Sequence, residues 1–243
     1  MNPPNRATGS SGVFRWRGAA ADFHALDLPT PTVGNTHVWQ VFADRAAAVA
    51  GSTQRDLIDP ALAAGAGLDV ARRRTGGGLV LVDPKRSVWF DVVLAREDDR
   101  VGDDVGRSFD RIGSVLADAL SAAGVAASAH RGPGAWDALG RLVCFAGVGP
   151  GECLTPDGRK VLGLSQRRTR EQVRVQAMAY LEVPVAATLA AIPDRLLPAA
   201  ADGVSPQPRA AVMAEVGRRT ASLGDSRSIG WWHAHLADAL LDA

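Results

Sequence analysis

Apolar and polar positions form short strand-length runs through the first two thirds of the chain and shift to helical spacing towards its end. Runs at 38–42 and 46–50, broken by Asp44 and Arg45, predict two strands. Asp59 followed by Pro60 is a helix start, and Gly65 supplies the stop. Runs at 68–73, 79–82 and 87–94 predict three more strands around a TGGG segment, arranged as an antiparallel meander. From 108 to 123, Phe109, Ile112, Val115, Leu116, Ala119 and Leu120 recur at helical spacing, with Gly124 at the end. Further strands are expected at 125–130, 141–146, 161–165 and 173–183; in the last, Val173, Val175, Ala177, Ala179 and Leu181 share one face. Residues 209–222 and 230–241 read as terminal helices. The order predicts an α+β fold, a mixed and largely antiparallel sheet packed with helices.

Composition narrows the class. With 243 residues, 47% of them hydrophobic and 22% charged, the chain suits one globular core. No repeat and no linker between two cores is found. We expect 1–12 to be a disordered tail and 13–243 a single domain with no accessory domain behind it. No apolar stretch approaches the roughly 20 residues that cross a bilayer, and the opening MNPPNRATGSSG lacks the apolar segment of a secretory signal. A net charge of +1 removes the long-range field that draws proteins to nucleic acid or anionic membranes, so neither partner is expected. Cys144 and Cys153, with no signal segment, suggest free thiols and a cytoplasmic location, and two cysteines alone cannot make a zinc site.

Of 27 basic residues, only Lys85 and Lys160 are lysines. In so arginine-biased a chain, a retained lysine is a candidate for chemistry that a planar guanidinium cannot perform. Three segments carry candidate chemistry. In RRRTGGG at 72–78, three glycines let several N–H groups converge on one anion and the arginines can bind phosphate or carboxylate; the alternative is a hairpin with solvated arginines. It is no Walker loop, because no Gly-Lys-Ser/Thr follows. In DGRKVLGLSQRRTR at 157–170, the Asp157-Gly158 turn puts Lys160 at a strand entry, where its ammonium could stabilise developing charge without filling the core; the alternative is an exposed hairpin lysine. In CFAGVGPGE at 144–152, the absence of a following helix argues against a dinucleotide loop, and Cys144 is either a nucleophile near Lys160 or an inert cysteine at a strand end. His233 and His235 lie on different helix faces with no acidic or cysteine cluster to complete a metal site, and Trp231 and Trp232 read as packing residues.

Two of these segments together resemble a known family. RRRTGGGLVLVD is similar to the RRxSGGGxVxHD signature of the lipoate-protein ligase A family, and DGRKVLGLSQRR to its GRKVxGxAxR segment; VAGSTQ at 49–54 resembles the strand and turn that precede the first signature. The resemblance, which runs over about 38–182, implies a biotin/lipoyl ligase-like catalytic domain. It implies that Arg72, Arg73, Thr75, Gly76, Gly77 and Gly78 bind the acyl-adenylate, with Gly163 beside them and Lys160 as the catalytic lysine. The implied reaction activates lipoate or octanoate with ATP and Mg2+ and passes the acyl group to a lysine of a lipoyl domain, in 2-oxoacid dehydrogenases or the glycine cleavage H protein. Two residues depart from or extend the pattern. Val82 stands where the family has histidine, which leaves a catalytically inactive lipoate- or partner-binding module as one alternative. Cys144 lies close to the nucleophilic cysteine of octanoyltransferases of the same superfamily, which take the acyl group from acyl carrier protein and need no ATP. The ATP-dependent ligase is the leading expectation, the cysteine-dependent transferase the alternative.

Overall fold

A computed structural model of the chain describes residues 9–102, 104–199 and 207–241. Its strands are β1 (Gly12–Gly18), β2 (His37–Ala43), β3 (Ala47–Ala50), β4 (Asp69–Arg72), β5 (Val80–Val82), β6 (Ser87–Ala95), β7 (Ser128–Ala129), β8 (Cys153–Leu154), β9 (Lys160–Arg168) and β10 (Gln172–Tyr180). Its helices are α1 (Ala20–Ala25), α2 (Pro60–Gly65), α3 (Val105–Ala122), α4 (Ala138–Leu142), α5 (Val185–Ala190), α6 (Arg209–Arg219) and α7 (Ile229–Leu241). None is long and apolar enough to cross a membrane.

A seven-stranded sheet runs in the order β1-β2-β6-β10-β9-β8-β7, and a three-stranded sheet in the order β4-β3-β5. β1 and β2 pair in parallel, as do β3 and β4, and the remaining ladders are antiparallel. The class is the expected mixed, largely antiparallel α+β fold. The helices α3 and α7 cover one face of the large sheet, where Val88, Phe90, Val92 and Leu94 of β6 meet Ile112, Leu116, Leu120, Trp232 and Leu236. The opposite face, with Trp39, Val41, Trp89 and Val93, packs against Val49, Val80 and Val82 of the small sheet. Ala48 and Leu81 point outward from the small sheet to Leu139, Leu142, Leu189, Val212 and Val216 of α4, α5 and α6. Both faces of β6 are thus covered, which is why all nine of its residues are buried and its sequence is an almost continuous apolar run.

Local signals explain several elements. Asp59 caps α2 through the N–H groups of Ala61 and Leu62, and Pro60 occupies the first turn, where no N–H is needed. The apolar stripe of α3 faces the sheet as its spacing predicts, although the helix starts earlier, at an Asp104 cap.

Four expectations fail. The strands around TGGG do not form a meander: β4 and β5 flank β3 instead of each other, and β6 lies in the other sheet. Residues 141–146 are not a strand but the end of α4 and a 3-10 turn at Cys144–Ala146. The Asp137 carboxylate caps the Gly140 N–H at 2.8 Å, and a Cβ on Gly140 would come within 2.8 Å of Gly147 Cα, so this close-packed turn wins over the β-branched run. The strand expected at 125–130 shrinks to Ser128–Ala129. Finally, of the expected tail, 1–8 lies outside the described residues, while Gly12 already pairs with His37.

Candidate functional site

The glycine segment and the cysteine segment meet because Leu79 bridges to Val143 in parallel. The Leu79 N–H donates to Leu142 O and the Cys144 N–H to Leu79 O, both at 2.9 Å. Side chains are excluded at this junction, since a Cβ on Gly78 would lie 2.6 Å from the Cys144 nitrogen. Gly77 has φ +94, a conformation that glycine reaches without strain.

Arg73 sits beneath the loop. It is buried, and its guanidinium donates to the carbonyls of Gly76 (2.8 Å), Gly78 (2.6 Å) and Val49 (3.3 Å). Its role in the geometry is therefore to brace the loop from below. The peptide between Gly76 and Gly77 is trans, so drawing Gly76 O towards Arg73 turns the Gly77 N–H the opposite way. No hydrogen bond engages the N–H groups of Gly76, Gly77 or Gly78, and all three glycines line an open cleft of ≈ 610 Å³. Thr75 is buried, donating to Gln176 Oε1 at 2.9 Å and sharing a hydrogen bond with Ser165. Arg72 is exposed and donates to Arg55 O, so its side chain does not line the cleft.

Lys160 does enter β9, but it is a core residue, contrary to the expectation of a lysine that spares the core. Its side chain is 1% exposed and its ammonium contacts Glu152 Oε1 at 2.7 Å. It also donates to Cys144 O at 2.8 Å and Gly147 O at 3.1 Å, so three acceptors occupy its three N–H groups. The other Glu152 oxygen accepts the Gly149 N–H, and Oε1 also accepts the Leu164 N–H. Gly163 clears space for this lysine: a Cβ there would fall 3.1 Å from Lys160 Cε.

Cys144 is partly exposed and a free thiol. It lines both the cleft and a narrow apolar recess walled by Val80, Trp89, Phe145, Leu164 and Met178. The recess has a cavity volume of ≈ 30 Å³, the room of about one water, so a longer guest must displace a wall residue such as the flexible Met178. A Cβ on Gly77 would touch Cys144 Sγ (3.6 Å) on one side and Arg73 Nη2 (2.9 Å) on the other, which places thiol and guanidinium around one residue. Burial draws the Arg73 pKa down, and a Cys144 thiolate would be the strongest influence opposing it. Cys153 is different in kind. It is fully buried, and burial pushes its thiol up to about 12.

The remaining candidates stand apart. Lys85 is exposed in a turn, Val82 is in the core, and His235 bonds Ala119 O while His233 packs between Phe42 and Phe90. Among the described residues no group of three His, Cys, Asp or Glu could hold a metal ion. The sequence reading overlooked Glu152, although it ends the CFAGVGPGE segment, and His24, which lines the recess from α1.

The family model described as the lipoyl protein ligase A/B catalytic domain matches residues 33–224. A search of curated proteins gives no match. Among solved structures, the chain is similar to a lipoate-protein ligase A bound with ATP, at 16% identity and a TM-score of 0.61 over 95% of this chain and 82% of that one. It is similar to a Thermoplasma acidophilum protein solved with bound lipoic acid, at 16% identity and a TM-score of 0.62 over 95% and 82%. A third likeness is to a bipartite lipoate protein ligase, described with its E2 lipoyl domain, from the same organism, at 16% identity and a TM-score of 0.63 over 95% and 81%.

Proposed function

Because the chain belongs to the lipoyl protein ligase A/B catalytic-domain family, we propose that it is an acyltransferase that attaches a lipoyl or octanoyl group to a lysine of lipoyl domains, with Cys144 as the transient acyl carrier. The observation that carries this reading is the Cys144 thiol at the neck between an apolar recess and an open cleft. A thiol there can bond to the carbonyl of an acyl group whose chain enters the recess, while the cleft admits donor and acceptor in turn.

The Cys144 thiol gives up its proton and attacks a thioester donor such as acylated acyl carrier protein; a new C–S bond forms, the old one breaks, and the departing donor thiolate takes up that proton. The neutral amine of the acceptor lysine then attacks the Cys144 thioester; the amide C–N bond forms, the C–S bond to Cys144 breaks, and the proton lost by the amine returns to the Cys144 sulfur. Both steps build negative charge on the acyl oxygen. The unengaged Gly77 N–H, aimed by Arg73, is the candidate donor to that oxygen. Lys160 acts as a positioning residue by holding the Cys144 carbonyl.

A second reading, the ATP-dependent ligase with an acyl-adenylate, is favoured by the three unengaged glycine N–H groups, by a cleft roomy enough for a nucleotide, and by the ATP bound to a similar ligase. It asks more of this site. The cleft lining supplies Arg141 as its cation, with Arg73 and Lys160 engaged elsewhere, and Mg2+ would have to be held through the phosphates. The acceptor in either reading is a lipoyl domain of a 2-oxoacid dehydrogenase or the glycine cleavage H protein, by likeness to the ligase described with its E2 lipoyl domain. Free thiols at Cys144 and Cys153 fit a cytoplasmic setting.

The test is to follow the mass of a lipoyl domain mixed with the protein and either octanoyl acyl carrier protein without ATP, or free octanoate with Mg-ATP. Transfer from the thioester without ATP is expected. Transfer solely from the free acid with ATP would replace the cysteine route by the second reading.

A further inference from the structure

His24 is 5% exposed and lines the apolar recess, yet its Nε2 has no hydrogen-bond partner. The nitrogen and oxygen atoms of the other side chains on the recess wall are paired: Trp89 with Asp91, Gln176 with Thr75 and Asp91, Ser165 with Thr75, and Arg73 with loop carbonyls. The imidazole cannot turn away easily. It packs against Trp89 with ring centroids 4.8 Å apart and the planes tilted by 31°, and Arg174 ties down its helix by donating to Phe23 O and Leu26 O at 3.3 and 3.0 Å. Burial, with the charges of Arg174 and Arg73, lowers its pKa to about 3, so the ring is neutral and suited to a neutral partner.

A plain alkyl chain in this recess would leave Nε2 buried and unpaired, which is costly in an apolar surrounding. A chain carrying a heteroatom would satisfy it. Resting on the reading of the recess as the acyl site, we propose that His24 selects acyl groups bearing a hydrogen-bonding heteroatom, a ring sulfur or a hydroxyl oxygen, over plain alkyl groups of the same length. The neutral ring donates to sulfur as a weak acceptor, and to a hydroxyl it can donate or accept.

Calorimetry of the full chain with three free acids, lipoate, 8-hydroxyoctanoate and octanoate, separates the possibilities. Wild type should bind at least one of the first two about tenfold more tightly than octanoate, as one net hydrogen bond implies, and which of them gains identifies sulfur or oxygen. His24→Phe, which keeps a ring on Trp89, should bind all three within about twofold, while His24→Gln should retain part of the preference. Octanoate binding as tightly as both others in wild type overturns the role of His24, as does a preference that persists in His24→Phe, and both outcomes leave the acyl recess standing. Failure of all three acids to bind wild type removes the acyl recess itself, and the proposal with it.

Discussion

The Lys160 ammonium donates to the backbone carbonyl of Cys144 across 2.8 Å, so the buried cation of the second signature segment fixes the residue that carries the partly exposed thiol. The same ammonium is neutralised by Glu152 at 2.7 Å, with both side chains almost wholly out of solvent. Stability and chemistry at this point are coupled, and variants can separate them.

Lys160→Met should lose acyl transfer and also destabilise the fold by about 3–5 kcal/mol, because it strands the Glu152 carboxylate. Adding Glu152→Gln should restore part of that stability without restoring transfer. Urea unfolding alongside a transfer assay reads both; full stability in the single variant would mean that the ion pair is not formed. Lys160→Arg should fail as well, since the wider guanidinium must fit beside Gly163 and the Phe145 ring.

Gly77→Val should destabilise the fold, and with it transfer, more than substitution of its neighbour Gly76 does. At φ +94 a β-branched side chain is strained, and its Cβ would press within 2.9 Å of Arg73 Nη2. A loss of about 2 kcal/mol or more in stability is expected, whereas Gly76→Ala, with nothing within 4 Å of the added Cβ, should change stability by less than about 0.5 kcal/mol. Equal stability of the two variants would contradict the braced loop.

Acid should destabilise the protein through two buried histidines. His24 and His233 are both lowered from 6.5 to about 3, chiefly by burial. The unfolded chain therefore binds protons between these values that the folded chain refuses, and stability falls as pH drops below about 6.5. Each histidine should cost about 2 kcal/mol between pH 6.5 and 5. Comparing urea unfolding at the two pH values for wild type and His24→Phe should show the variant losing about that much less.

Much of the site was legible in sequence because its parts are short and local. The Asp157-Gly158 turn and the strand after it do bring Lys160 to a fixed position, and the three glycines after Arg73 do leave N–H groups unengaged. What could not be read is pairing at a distance. The runs around TGGG look like a meander, yet β3 inserts between β4 and β5 from earlier in the chain. The burial of Lys160 could not be read either, because its counter-ion, Glu152, follows a segment whose strand-like sequence hides α4 and the 3-10 turn. Likewise His24 sits on the six-residue helix α1, too short for its sequence to show a helical periodicity that would mark its approach to the recess.

The most direct test of Cys144 as the acyl carrier is the intact mass of the protein itself after brief exposure to octanoyl or lipoyl thioester without an acceptor. Wild type should gain one acyl group, sensitive to hydroxylamine and mapped by peptide mass to Cys144, and Cys144→Ser should gain no such thioester and lose transfer from the thioester donor. Full ATP-independent transfer by the serine variant, or an unmodified wild-type protein that still transfers, would contradict a covalent role for Cys144.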